Sequence, residues 1–261
     1  MASIPLSDLI DVLEILAPPE GAAEWDNTGL LLEAPTDQSV SRVLLTLDLT
    51  AEVAAEALDL GVQAIVSYHP PIFSGIKQFN RTDPIAAPLL DLLAGNVSVY
   101  SPHTALDAAP DGMSDWLADL FDALACGSIE DSGRHVTLRH ALTPEALGHL
   151  LQQNLGLPYL RRALATTGAE QILTLALCPG AGASVLVGED VDAVVTGEMK
   201  HHDILAFTRR GVHVFLSEHS HTERPYLAVL RERLLARLPE GVEVLLSRAD
   251  KDPVTLVMGD A

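Results

Sequence analysis

The chain has 261 residues, 48% of them hydrophobic and 20% charged, a composition that supports one or two packed domains. Asp plus Glu number 36 against 16 Lys plus Arg, a formal net charge of −20; this argues against a general nucleic-acid or anionic-membrane surface, which needs a basic face, and leaves room for a small basic pocket and for divalent cations, which favour clustered carboxylates. Cys126 and Cys178 are two isolated thiols, acidic residues interrupt the apolar N-terminus, and no run of about 18 apolar residues occurs, so the expectation is a soluble cytoplasmic protein without a disulfide framework, a signal peptide or a membrane span.

Ser7 is placed to cap a first helix, with Leu9, Ile10, Leu13 and Leu16 at helical spacing and Pro18-Pro19 stopping it. Residues 43–47 are a short apolar run, as in a strand buried on both faces. Thr50 caps a helix to about Leu60, residues 64–66 form the next strand, 88–94 a helix and 97–100 another strand. Thr143-Pro144-Glu145 opens an amphipathic helix. Strands follow at 173–177, 193–195 and 212–216, with a glycine-rich turn at 178–184 and a helix at 203–210. Strands alternating with helices predict an α/β fold. GVQAIVSYH (61–69) and DVDAVVTGE (190–198) repeat Val, Ala and Val in register. The expected fold is therefore two similar α/β lobes, an internal duplication, with residues 1–125 in the first and 126–261 in the second. Lobes that face each other bring their strand ends into one metal-containing cleft.

The chemistry-bearing residues fall at carboxyl ends of predicted strands, where open α/β sheets bind ligands. SYHPPIF (67–73) presents His69, and SPHTALDA (101–108) presents His103 and Asp107, four apart. GEMKHHD (197–203) presents Glu198 and His202 with Lys200 between them. SEHSHTERP (217–225) is the densest cluster, and its His219 and Glu223 have a spacing that points both at one ion. Each segment also has a plain reading: a turn histidine at His69, a cap at Asp107, an exposed helix face at 198–202, a solvated loop at 217–225. Taken together they exceed what one tetrahedral ion needs, and Asp107 and Glu223 suit the bridging positions of a dinuclear hydrolytic site. Imidazole and carboxylate donors suit zinc, iron, manganese or nickel. The glycine-rich turn CPGAGAS serves either a phosphate or tight packing.

EWDNTGL (24–30), SYHPPIF, SPHTALD, GEMKHHD and SEHSHTERP, in that order, resemble the motifs of the NGG-one-interacting-factor-three-like family, also called dinuclear-metal-centre hexameric proteins or GTP cyclohydrolase 1 type 2 homologues. The resemblance implies two α/β lobes with a two-metal site in the cleft, no inserted third domain, and a homo-hexamer built as a trimer of dimers. It places the metal ligands on His69, Asp107, His219 and Glu223. Many bacterial members carry His-His where this chain has Tyr68-His69, so Tyr68, His103 or water takes the remaining position. In EWDNTGL, Trp25 and Asp26 either line the cleft mouth or fix a turn.

The implied activity is that of a metal-dependent hydrolase of the GTP cyclohydrolase type 2-like class: two divalent ions lower the pKa of a water, while His103, Glu198 or His202 moves protons. Lys200 and Arg224 favour a small anionic or nucleotide substrate. The alternatives are a metal-dependent phosphoesterase or nuclease that admits nucleic acid to a ring channel, and a non-catalytic metal-binding scaffold or regulator.

Overall fold

The structure, a computed structural model, describes residues 2–36, 39–255 and 257. Its strands are β1 (Ile4–Pro5), β2 (Gly29–Leu32), β3 (Ser39–Val40), β4 (Arg42–Thr46), β5 (Ala64–Ser67), β6 (Ser98–Ser101), β7 (Ala123–Ile129), β8 (Gly133–Leu142), β9 (Arg161–Ala163), β10 (Ile172–Cys178), β11 (Ala193–Thr196), β12 (His213–Leu216) and β13 (Glu243–Leu246). Its helices are α1 (Leu6–Leu16), α2 (Ala51–Leu60), α3 (Ala86–Ala94), α4 (His103–Ala108), α5 (Met113–Asp119), α6 (Pro144–Leu155), α7 (Ala183–Leu186), α8 (His201–Arg209) and α9 (Tyr226–Leu235). None of these helices is long and apolar enough to cross a membrane.

Local signals set several of these boundaries. The Thr50 hydroxyl accepts from Val53 N at 3.3 Å, and Gly61 ends α2 in the left-handed region. The Thr143 hydroxyl accepts from Ala146 N at 3.2 Å, Pro144 takes the first turn of α6, and Gly156 closes it. Ser7 departs from its expected role. It lies inside α1, because the chain enters the helix directly from β1, and its hydroxyl donates to Asp8 Oδ1 at 3.2 Å.

The chain divides into two compact units. One comprises Met1–Leu13, Asn27–His103 and Leu230–Ala261, the other Glu14–Asp26 and Thr104–Val229. This differs from a single crossing near residue 126. The chain's last strand, β13, returns to pair in parallel with β4, and so belongs with the first sheet.

The first unit holds a five-stranded sheet in the order β13-β4-β5-β6-β2, parallel except for β2 at its edge. Its central strands are buried along their whole length, which accounts for their apolar sequences. Leu44, Ile65 and Val99 pack with Val53 and Ala57 of α2 and with Leu89 and Leu92 of α3.

The second unit holds a six-stranded sheet in the order β7-β8-β10-β11-β12-β9. Strands β10, β11 and β12 are parallel, whereas β7, β8 and β9 pair antiparallel to their neighbours. Alternate residues of β10 serve two cores: Leu175 and Leu177 pack with Leu147, Leu151 and Phe215, and Ala176 and Cys178 pack with Leu186, Val194 and Phe207.

A shared topology underlies the sequence repeat. In each unit three successive strands run parallel (β4-β5-β6 and β10-β11-β12), and an earlier strand (β2 or β9) adds antiparallel beside the third. The repeated Val-x-Ala-x-Val segments become β5 and β11, each the middle strand of its trio. Their flanks differ, since β4 gains a parallel neighbour and β10 an antiparallel one.

Candidate metal centre

In the first unit the site residues follow the ends of β4, β5 and β6. Backbone pairing carries on past the strands, with Tyr68 N donating to Thr46 O and His69 N to Leu47 O, both at 2.9 Å. This brings His69 beside Asp48, and His69 Nδ1 lies 2.9 Å from Asp48 Oδ1. A carboxylate only accepts, so Nδ1 carries the proton of this bond, and the neutral ring then has its lone pair at Nε2. The Tyr68 ring is 2% exposed and lies 4.9 Å from the His69 ring and 5.4 Å from the His103 ring, centroid to centroid. The rings of His69 and His103 are 5.5 Å apart. His103 has φ +30°, a backbone conformation that a side chain disfavours and that concentrates at functional sites. Asn27 Nδ2 donates to Ile72 O at 2.5 Å and so fixes the loop that follows Pro70-Pro71.

In the second unit Asp26 anchors the start of α4. Its Oδ2 accepts from Thr104 N at 3.1 Å and from the Thr104 hydroxyl. Asp26 and Asn27 therefore fix local structure, which decides the EWDNTGL motif in favour of the turn, while Trp25 remains exposed. Asp107, one turn into α4, is buried. Arg134, also buried, donates from Nε to Asp115 Oδ1 at 2.5 Å and from Nη2 to the Asp107 carbonyl at 3.5 Å.

His219 and Glu223 follow β12. His219 Nδ1 lies 3.0 Å from Glu198 Oε1, and Nε2 lies 3.3 Å from the buried Glu223 Oε1. Glu198 thus does for His219 what Asp48 does for His69. Helix α8 begins at His201, after Glu198, and His202 is exposed on it, its ring 5.4 Å from that of His201. Asp48 escaped the sequence reading, although it too follows a strand end and could have been found by the same rule.

The glycine-rich turn is a packing device. Gly180 N donates to Thr222 Oγ1 at 2.8 Å and Gly182 N to Thr196 Oγ1 at 2.9 Å, so the protein's own hydroxyls occupy these amides. Gly180 has φ +60°, and a Cβ there would lie 2.5 Å from Glu223 Oε1 and 3.1 Å from His219 Nε2. Nearby, burial pushes the Cys178 thiol up to about 12, and the charges of Asp107 and Glu223 push in the same direction. Beside Glu198 opens a cavity of about 580 Å³, whose lining includes Arg161, Lys200, Ser184 and Asp203. Arg161 also pairs with Glu218 at 2.6 Å.

By donor type, His69 in the first unit and, in the second, His219 with Glu223 are candidate metal ligands. These donors suit a divalent ion: imidazoles with one nitrogen beside a carboxylate, the buried Glu223 carboxylate, and a glycine whose missing side chain leaves room for His219 and Glu223.

Comparison with known proteins agrees with these motifs. The chain is 40% identical to a NIF3 homologue of Schizosaccharomyces pombe over 272 residues, covering 95% of this chain and 97% of the relative. It is 34% identical to NIF3-like protein 1 of Drosophila melanogaster, covering 98% and 90%. Among solved structures, reduced HcgD from Methanocaldococcus jannaschii has a similar fold, with TM-score 0.85, 24% identity and coverage of 94% and 98%. Staphylococcus aureus hypothetical protein SA1388 gives TM-score 0.83 at 23% identity, covering 98% and 100%. The model of the Duf34/NIF3 (NGG1p interacting factor 3) family matches residues 4–253, and the chain belongs to that family.

Proposed function

We propose that this chain is a dinuclear-metal-dependent hydrolase of the GTP cyclohydrolase 1 type 2 homologue class, with His69, Asp107, His219 and Glu223 as its metal ligands. The observation that carries this reading is the carboxylate on Nδ1 of each histidine, Asp48 on His69 and Glu198 on His219. This arrangement fixes the tautomer of metal-binding imidazoles. Divalent ions supply Lewis acidity and activate water for hydrolysis.

The chain's own groups do the rest. His69 and His219 offer Nε2, and Asp107 and Glu223 offer buried carboxylate oxygens whose charge opposes that of a cation. His103, packed edge-on against the His69 ring, moves a proton near that ligand, and Tyr68 backs both rings. Arg161 and Lys200 give the cavity beside Glu198 two cationic groups for a small anionic substrate. In this reading the chain works as a homo-hexamer, a trimer of dimers.

The test is turnover of GTP by protein loaded in turn with zinc, iron, manganese and nickel, with Glu223→Ala as control. Ring-opened product from the wild type and a loss of at least tenfold in the variant are expected. Equal activity in both would overturn the ligand assignment. Release of phosphate or nucleotides in place of a ring-opened purine would favour a phosphoesterase.

A further inference from the structure

Within the second unit, strand β9 lies beside β12, and its register sets Arg161 opposite Leu216, the last residue of β12. Two residues further on, Glu218 has φ +70°. Glycine enters this left-handed region freely, whereas a glutamate is held there only by surroundings that impose it. Glu218 directly precedes His219. Its backbone therefore sets the direction in which the imidazole reaches Glu198 and Glu223, at 3.0 and 3.3 Å.

The backbone around the turn admits this conformation. Ser217 N donates to Thr196 O at 3.2 Å and fixes the chain just before it. A Cβ on Gly197 would lie 2.8 Å from both Glu218 O and His219 Cα, so the missing side chain makes the room. What grips the Glu218 side chain is Arg161, from Nε to Oε1 at 2.6 Å and from Nη2 to Oε2 at 3.0 Å. Two parallel bonds from one guanidinium fix a carboxylate in orientation as well as position. Arg161 is itself tied by β9 to the strand that Glu218 leaves.

We infer that Arg161 is a positioning residue for His219: its fork holds Glu218 in the left-handed turn, and the turn aims the imidazole. The consequence for metal binding rests on the reading of His219 as a ligand. Its sign separates this role from a simple charge effect. Arg161 lines the cavity beside Glu198, so by charge alone its removal strengthens the binding of a cation nearby. As a positioning residue, its removal weakens that binding.

The test titrates the full chain with zinc by calorimetry. Arg161→Met is expected to weaken zinc at least tenfold, the scale on which groups behind a ligand act. Arg161→Lys keeps the charge and loses the fork, and is expected to weaken zinc as well. Adding Glu218→Gly to Arg161→Met should bring the affinity back close to wild type, because glycine takes the turn without help. Crystal structures of the metal-free variants read the turn directly: φ at residue 218 should turn negative in Arg161→Met and stay positive in the double variant. Zinc bound to Arg161→Met as tightly as to wild type, a double variant as weak as the single one, or a left-handed Glu218 that survives without Arg161 would overturn the inference. A wild type that takes up no zinc would instead overturn the metal reading, and the structures alone would then decide whether Arg161 holds the turn.

Discussion

Gly180 shows how closely the candidate site is built. Its φ of +60° suits glycine, and the space where a Cβ would go is taken by Glu223 Oε1 and His219 Nε2. Gly180→Ala should cost about 1–2 kcal/mol of stability from the left-handed conformation and weaken metal affinity at least tenfold, as isothermal titration would show. Unchanged affinity would mean that the two ligands need not hold these positions.

The two thiols should also behave differently. Cys178 is buried and pushed up to about 12. Cys126 is exposed, and its thiol is raised by partial burial and by Asp115 and Asp119, against Arg134. A disulfide reagent at pH 8 should therefore modify one thiol per chain when native and both in denaturant. Fast modification of both in the native protein would contradict the burial of Cys178.

His69, His103, Asp107, His219 and Glu223 were legible as residues because each follows a strand end. Glu198 and Asp48 follow strand ends too, but their pairing with His219 and His69 was not legible, since each reaches its histidine from a neighbouring strand, through a contact no local spacing encodes.

Among the elements, the starts of α2 and α6 were readable from their threonine caps, and the end of α2 to about Leu60. The trios β4-β5-β6 and β10-β11-β12 were readable from apolar runs. The β7–β8 hairpin was not, because β7 is exposed on both faces and has no alternation to read. Strand β9 is only Arg161-Arg162-Ala163, held by pairing with β12. Strand β13 joins β4 from the far end of the chain, a contact that periodicity cannot supply.

The segment after β13 is tied to α2 by Glu56, which accepts from Ser247 Oγ at 2.5 Å, Arg248 N at 2.9 Å and Ala249 N at 3.1 Å. Burial pushes the Glu56 carboxyl up, but these bonds and the Arg248 charge outweigh it and leave it below the usual 4.5. A lowered folded-state pKa contributes stability above the unfolded value and loses it as pH falls through the folded one. Glu56→Gln should therefore destabilise the protein by about 1–2 kcal/mol at pH 7 through the lost charge-assisted bonds. The difference should shrink below pH 4.5. Urea titrations at pH 7 and pH 3.5 check this, and an equal difference at both would contradict it.

For the whole molecule the net charge of −20 is a source of self-repulsion that salt screens, with a Debye length of about 10 Å at 0.1 M. The thermal midpoint should rise between 10 mM and 200 mM sodium chloride, and a fall would show that favourable ion pairs outweigh the repulsion. Divalent ions should raise it further by binding the folded chain. Asp107 and Glu223 are buried, and the charges of both act on the Cys178 thiol. The most direct test of the metal centre is elemental analysis of protein purified without chelators, with wild type and His219→Ala measured alongside each other. Two divalent ions per wild-type chain and a loss of at least one in the variant are expected; a folded wild type without divalent metal, or equal content in both proteins, would contradict the assignment.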